Sequence, residues 1–100
     1  MKTDYEFLKT EIDGHILTVT INRPERMNAL HPPAHAEFDE VWNEFDKDEN
    51  LWVGIVTGEG DRAFSAGNDL KFQAEAGGKM DINMASSGFA GLTSRFNLTK

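Results

Sequence analysis

The sequence contains no cysteine, and this absence excludes several kinds of chemistry at once. Without a thiol, the chain can form neither disulfides nor thiolate metal sites, and it has no cysteine nucleophile. It also lacks an apolar run of the roughly 20 residues that a membrane-spanning helix needs. One lysine near the start is not followed by an apolar core, so no secretory signal is predicted. We expect a cytoplasmic protein that does not associate with membranes.

Basic residues are scarce as well. Ten Lys and Arg stand against 17 Asp and Glu, which gives a formal net charge of −7 at pH 7. Proteins that bind nucleic acids usually carry a basic surface, so we expect no nucleic-acid partner. The negative electrostatic field of the whole chain also disfavours the binding of an anionic small molecule. The chain would have to bind one through local backbone N–H groups and a few basic side chains.

The residues that are present fit one small globular domain. Of 100 residues, 39% are apolar and 27% are charged, as is typical of soluble domains with a modest core. Two extended stretches, residues 5–12 and 15–21, flank an Asp13-Gly14 pair. An Asp-Gly pair in such a place predicts a β-hairpin.

The remainder of the chain predicts a helix, a strand and a second helix. Pro32-Pro33 suits the first turn of a helix, and apolar residues recur with a helical period from Ala34 to Asp46. Their stripe consists of Phe38, Val41, Trp42 and Phe45. The apolar run at 51–57 predicts a buried strand, parallel to the previous one because a helix joins them. A last helix is predicted after residues 86–87, with a stripe of Phe89, Leu92 and Phe96. This order of elements is α/β.

The segment from Ser65 to Lys71 has the features of a site where a ligand approaches the backbone. Small residues leave room, and Gly67 permits an unusual φ that can turn an N–H outward. Asp69 could hydrogen-bond the start of a following helix. A backbone N–H in such a place is a ready donor for developing negative charge. Composition alone nevertheless favours an ordinary strand-to-helix loop.

Three sequence motifs, which occur in a fixed order, favour a ligand-binding site over an ordinary loop. Residues 62–71 (R-A-F-S-A-G-N-D-L-K) resemble the oxyanion-hole motif A-F-x-A-G-x-D-[LI] of the crotonase (enoyl-CoA hydratase/isomerase) family. Residues 22–30 resemble its N-R-P-x-x-x-N-A-L segment, and residues 53–60 resemble its strand that ends in T-G-x-G. The resemblance as a whole covers about residues 5–75 well. The tail at 88–98 is most similar to the carnitinyl-CoA dehydratase branch of that family.

The resemblance implies an α/β crotonase-like spiral of repeated β-β-α units. Residues 1–100 would be the N-terminal portion of one such domain. The implied parent activity is that of a lyase that reversibly hydrates an enoyl-CoA through a thioester enolate. Coenzyme A would enter only as part of the thioester substrate, with no metal and no redox cofactor. A homotrimer or a dimer of trimers is also implied. The second oxyanion donor and the acid/base carboxylates belong to later segments of the family, so we expect this chain alone to be inactive.

Carried over position by position, the resemblance assigns one catalytic donor and one binding set. The donor is the backbone N–H of Asn68, at a position where most family members have alanine. Ala66 would present its carbonyl near the adenine of coenzyme A. The residues expected to hold coenzyme A, or to line or support the acyl pocket, are Arg26, Met27, Ala29, Ala66, Gly67, Asn68, Asp69 and Leu70.

Other interpretations remain open. Residues 63–67 partly match the nucleophile elbow G-x-S-x-G of hydrolases, but no histidine follows Ser65 in this sequence. His31 and His35 stand four apart, as a metal-binding pair can, yet two prolines separate them and we expect both at the surface or at the start of a helix. The chain could also be a catalytically incomplete binding or assembly module. Within the family, isomerase and thioester hydrolase reactions are the further alternatives.

Overall fold

A three-stranded mixed sheet and one long helix make up the part of the chain that the structure describes. The computed structural model describes residues 4–70, 89–93, 98 and 100. The strands are β1 (Leu8–Asp13), β2 (Ile16–Ile21) and β3 (Val53–Gly58), and the helix is α1 (Pro32–Lys47). Short 3-10 turns lie at Pro24–Arg26 and Phe89–Gly91. The predicted α/β class is confirmed, and no helix among these residues is long and apolar enough to span a bilayer.

The first two strands form the predicted hairpin. They pair antiparallel, with Asp13 opposite Ile16. The connecting loop is therefore Gly14-His15, one residue later than the predicted Asp13-Gly14 pair. Gly14 supplies a φ of 60° at the first loop position, as two-residue hairpin loops commonly require.

Strand β3 pairs parallel to β2, as the connecting helix predicts, with Val56 opposite Val19. The strand order β1-β2-β3 places it at one edge of the described sheet. The prediction that this strand is buried is wrong, since Val53 and Ile55 are 50% and 45% exposed. These two side chains lie on the face of the sheet opposite α1, whereas Gly54 between them faces the rings of α1.

Helix α1 packs its apolar stripe against the other face of the sheet. It begins at Pro32, with proline at its first positions as predicted. The core combines the predicted stripe with strand and loop residues; its members are Leu8, Leu17, Val19, Ile21, Leu30, Ala34, Phe38, Val41, Trp42, Phe45 and Leu51. Burial of each large apolar side chain stabilises the fold by about 1.5–3 kcal/mol. Because Leu30 belongs to this core, the loop that leads into α1 is packed against it.

Residues 89–93 differ from the predicted last helix. Phe89–Gly91 is a 3-10 turn in which Ala90 has a φ of 54°, and a left-handed residue cannot continue a right-handed helix. The turn docks on α1 through two bonds. Trp42 Nε1 donates to the Ala90 carbonyl at 2.9 Å, and the Ala90 N–H donates to His35 Nδ1 at 2.9 Å. Three residues of the prediction lie outside the described residues: Ser86, Ser87 and Phe96.

Candidate functional site

Residues 64–70 run as an extended segment beside the loop that leads into α1. Phe64, Ala66, Asn68 and Leu70 are exposed, whereas Ser65 and Gly67 between them are half-buried and Asp69 is buried. The Leu30 N–H donates to the Gly67 carbonyl at 2.7 Å, and the Asp69 N–H donates to the Leu30 carbonyl at 3.0 Å. These two bonds form a parallel bridge between Leu30 and Asn68.

The bridge fixes the direction of the Asn68 N–H. That N–H shares a trans peptide plane with the Gly67 carbonyl, so the two groups point in opposite directions. Since the Gly67 carbonyl accepts from Leu30, the Asn68 N–H points away from Leu30. It has no hydrogen-bond partner among residues 4–70, 89–93, 98 and 100. The described fold therefore orients this donor without using it.

Two further bonds hold the segment in place. The Ala66 N–H donates to the Met27 carbonyl at 3.0 Å, and the Gly67 N–H donates to Ser65 Oγ at 3.1 Å. Gly67 has a φ of 86°, which confirms its predicted unusual conformation and is a region that a side chain would disfavour. Met27, Ala66 and Gly67, all predicted to contact the ligand, are thus adjacent in space.

Asn28 joins all three sequence motifs from a buried position. Its side chain is 1% exposed. Its Oδ1 accepts from the Arg23 N–H at 3.0 Å, and its Nδ2 donates to the carbonyls of Glu59 at 3.0 Å and Ala63 at 2.8 Å. A side chain on Gly58 would place its Cβ 2.8 Å from both Asn28 Nδ2 and the Ala63 carbonyl. Glycine therefore permits the close approach of these segments.

A buried ionic cluster lies beneath the exposed segment. Arg23 Nη2 stands 2.9 Å from Asp69 Oδ2, and the two side chains are only 6% and 4% exposed. Arg26 Nη1 lies 3.6 Å from the same oxygen, and Arg23 Nη1 donates to the Ala29 carbonyl. The carboxylate of Asp69 thus faces two arginines on the inner, buried side of the segment and does not lie on its exposed face.

His31 and His35 are both buried, so their predicted surface position is wrong. Their predicted place at the start of a helix is confirmed. The His31 ring meets Phe7 edge-on at 4.4 Å. Burial, with a contribution from the Arg23 charge, lowers the pKa of His31 to about 4, so the ring is neutral at pH 7. Among the described residues, no three His, Cys, Asp or Glu side chains form a group that could hold a metal ion.

The remaining predicted site residues lie around this cluster. Ala29 is buried, and its carbonyl accepts from Arg23. Arg26 is half-buried, and Leu70 is 73% exposed at the end of the segment 64–70. Their roles toward coenzyme A stay predictions. Sequence reasoning assigned no role to Arg23 or Asn28, although both stand inside the N-R-P-x-x-x-N-A-L segment. The available clue was the amide of Asn28, which stands between the apolar residues Met27 and Ala29 in a loop.

The comparisons with known proteins all indicate the same family. Residues 11–99 match the family model described as enoyl-CoA hydratase/isomerase. A carnitinyl-CoA dehydratase of Escherichia coli (strain K12) is 44% identical over 95 residues, which cover 95% of this chain and 36% of that protein. A carnitinyl-CoA dehydratase of Citrobacter koseri is 45% identical over 87 residues, with coverage of 87% and 33%.

Solved structures agree in fold. The crystal structure of a carnitinyl-CoA hydratase from Mycobacterium avium has a TM-score of 0.74 and 31% identity, and covers 85% of this chain and 33% of that one. The structure of an enoyl-CoA hydratase from Mycobacterium tuberculosis H37Rv has a TM-score of 0.75 and 31% identity, with coverage of 89% and 33%. The chain thus spans about a third of the length of the relatives it matches.

Proposed function

Because this chain belongs to the enoyl-CoA hydratase/isomerase (crotonase) family, we propose that its protein reversibly hydrates an enoyl-CoA thioester. The backbone N–H of Asn68 serves as one donor of the oxyanion hole. The observation that carries this proposal is an outward N–H that the described fold fixes but does not use. The predicted resemblance and crotonase fold are both confirmed by the family match and the solved neighbours.

The chemistry explains why a fixed donor matters. Addition of water to an enoyl thioester, or removal of an α-proton, places negative charge on the thioester oxygen. A preset N–H stabilises this enolate more than it stabilises the ground-state carbonyl, so it lowers the barrier rather than merely tightening binding. The bond between Leu30 and Gly67 means that no backbone rearrangement is needed when the charge develops.

The exposed face of the segment supports an acyl-CoA substrate. Phe64 and Leu70 offer apolar surface on either side of Asn68. Arg26 lies close by with 30% of its side chain exposed, and it is one of the few cations that this acidic chain could offer a phosphate. The names of the relatives favour a carnitinyl-type acyl group. Coenzyme A is then part of the substrate, with no separate cofactor and no metal, and we place the protein in the cytoplasm as a homotrimer or dimer of trimers.

The donor can be removed without deleting either hydrogen bond of the bridge, because neither bond uses the Asn68 N–H. Asn68→Pro deletes an N–H that no described residue uses, whereas Asn68→Ala keeps it. In the protein expressed from its complete gene, we expect Asn68→Pro to lower kcat for crotonyl-CoA or crotonobetainyl-CoA by about 10²–10³-fold. Asn68→Ala should keep most of the activity. An Asn68→Pro protein with native circular dichroism and unaltered kcat would refute the assignment of the donor.

Chromatographic separation of the products, together with their masses, distinguishes the reactions that the family resemblance leaves open. Hydration adds one water to the acyl-CoA, isomerisation leaves its mass unchanged, and thioester hydrolysis releases free coenzyme A. We expect the hydrated product. Tight binding of crotonyl-CoA with no product of any kind would favour the alternative of a catalytically incomplete binding module.

A further inference from the structure

The guanidinium group of Arg23 connects both sides of the bridge that orients the Asn68 N–H. Its Nη1 donates to the carbonyl of Ala29, the residue before Leu30. Its Nη2 lies 2.9 Å from the carboxylate of Asp69, the residue after Asn68. One rigid, planar group thus holds the two segments at the register where they exchange their two backbone bonds.

Stability alone does not account for this ion pair. Both side chains are almost completely buried, and removal of two charges from water is costly. Replacement of such a pair by apolar residues of similar volume is often neutral or stabilising. What apolar side chains cannot supply is direction, because only the guanidinium bonds to Ala29 and Asp69 at fixed angles.

We propose that Arg23 and Asp69 are positioning residues that set the direction of the oxyanion donor on Asn68. This inference rests on the proposed function. The pair acts through the bridge and does not touch the substrate. A donor displaced by about 1 Å can cost about 10²-fold in rate, so loss of the pair should lower kcat while KM changes little.

The test separates positioning from stability. The double variant Arg23→Met/Asp69→Leu exchanges the pair for apolar side chains. We expect it to stay folded, with a loss of stability no larger than the Ala29 carbonyl causes when it loses its donor. Its kcat should fall by about 10²-fold. The exposed pair Lys9–Glu59, with Nζ and Oε1 3.2 Å apart, provides the control. Lys9→Met/Glu59→Gln should alter neither quantity.

A double-mutant cycle gives a second result that a purely structural role would not produce. When Asn68→Pro has already removed the donor, Arg23→Met/Asp69→Leu should cost little further activity, because the group that it positions is gone. If the two effects multiply, or if the stable double variant keeps wild-type kcat, the inference is wrong.

Three outcomes lead to different conclusions. If Arg23→Met/Asp69→Leu does not fold, Arg23→Lys replaces it, since a compact ammonium keeps the charge but cannot reach Ala29 and Asp69 in the same way. The cycle is then run with Arg23→Lys, and a kcat unchanged from wild type overturns the inference. If Asn68→Pro keeps full activity, the proposed function fails first and the inference fails with it. If Asn68→Pro loses activity but loss of the pair does not, only the positioning role is refuted.

Discussion

Replacement of Asn28 by alanine should destabilise the protein more than a change at any exposed asparagine. Its amide makes three hydrogen bonds from a position that is 1% exposed. Its backbone adopts a φ of 55°, in the left-handed region. Asparagine tolerates this conformation better than most residues do, whereas alanine does not. The substitution therefore removes polar contacts and imposes strain at the same time.

The magnitude follows from these two effects. Each of the three broken bonds contributes about 1 kcal/mol, and a buried partner left unsatisfied can cost about 1–3 kcal/mol. Left-handed backbone costs alanine about 1 kcal/mol more. We therefore expect Asn28→Ala to lower the free energy of unfolding by about 4 kcal/mol, a large share of the roughly 5–15 kcal/mol that stabilises a typical domain.

Two companion variants separate the effects. Asn28→Gly loses the bonds but adopts positive φ freely, so it should be about 1 kcal/mol more stable than Asn28→Ala. Asn28→Asp turns two donors into acceptors that face the carbonyls of Glu59 and Ala63. At pH 7 it should therefore be at least as unstable as Asn28→Ala.

Urea unfolding, monitored by tryptophan fluorescence, provides the measurement. The exposed Asn50→Ala is the control and should change the free energy of unfolding by about 0.5 kcal/mol or less. A loss below about 1 kcal/mol for Asn28→Ala would refute the role of its three bonds. Equal stability of the alanine and glycine variants would refute the backbone strain.

Three further predictions concern the surroundings of the site. Gly58→Ala would place a Cβ 2.8 Å from the Ala63 carbonyl, and we expect this close contact to cost about 1–3 kcal/mol of stability. A rise in the unfolding temperature of this variant would contradict the prediction. The pKa of His31 is lowered from 6.5 to about 4 in the folded state, so the unfolded chain binds a proton at higher pH than the folded chain does. As the pH falls from 6.5 to 4, we expect the protein to lose up to about 3 kcal/mol of stability. His31→Gln should lose less over that interval in urea titrations, and equal losses would exclude this residue as the cause. Trp42→Phe removes one bond to the 3-10 turn and should cost about 1–2 kcal/mol in thermal unfolding. The exposed Trp52→Phe should cost about 0.5 kcal/mol or less, and similar losses for both would remove the hydrogen bond as the explanation.

The local elements were predictable because their causes lie within a few residues. The hairpin, the proline-led start of α1 and the parallel pairing of β3 all follow from turn residues, helical spacing and the length of the connection. The burial of β3 was not predictable in this way. An apolar run has the same composition whether one or both faces of its sheet are covered, and only the elements packed against each face decide whether Val53 and Ile55 are buried.

The last helix illustrates the same limit at residues 89–93. The spacing of Phe89 and Leu92 fits a helix, yet contacts with His35 and Trp42 on α1 select a 3-10 turn there. Tertiary hydrogen bonds outweighed a weak local preference, as they commonly do for short segments.

By itself, the sequence indicated the family, because three motifs occur in a fixed order. It also predicted the order of the elements as far as β3 from turn residues and the spacing of apolar residues. It also indicated Asn68 as the candidate donor. Only the tertiary structure decided which side chains hold that donor in place. The Asn28 side chain bonds to Glu59 and Ala63, which lie 31 and 35 positions later in the sequence. The ion pair between Arg23 and Asp69 joins two different motifs. Such contacts depend on where the folded backbone brings distant segments together, which no local pattern of residues specifies.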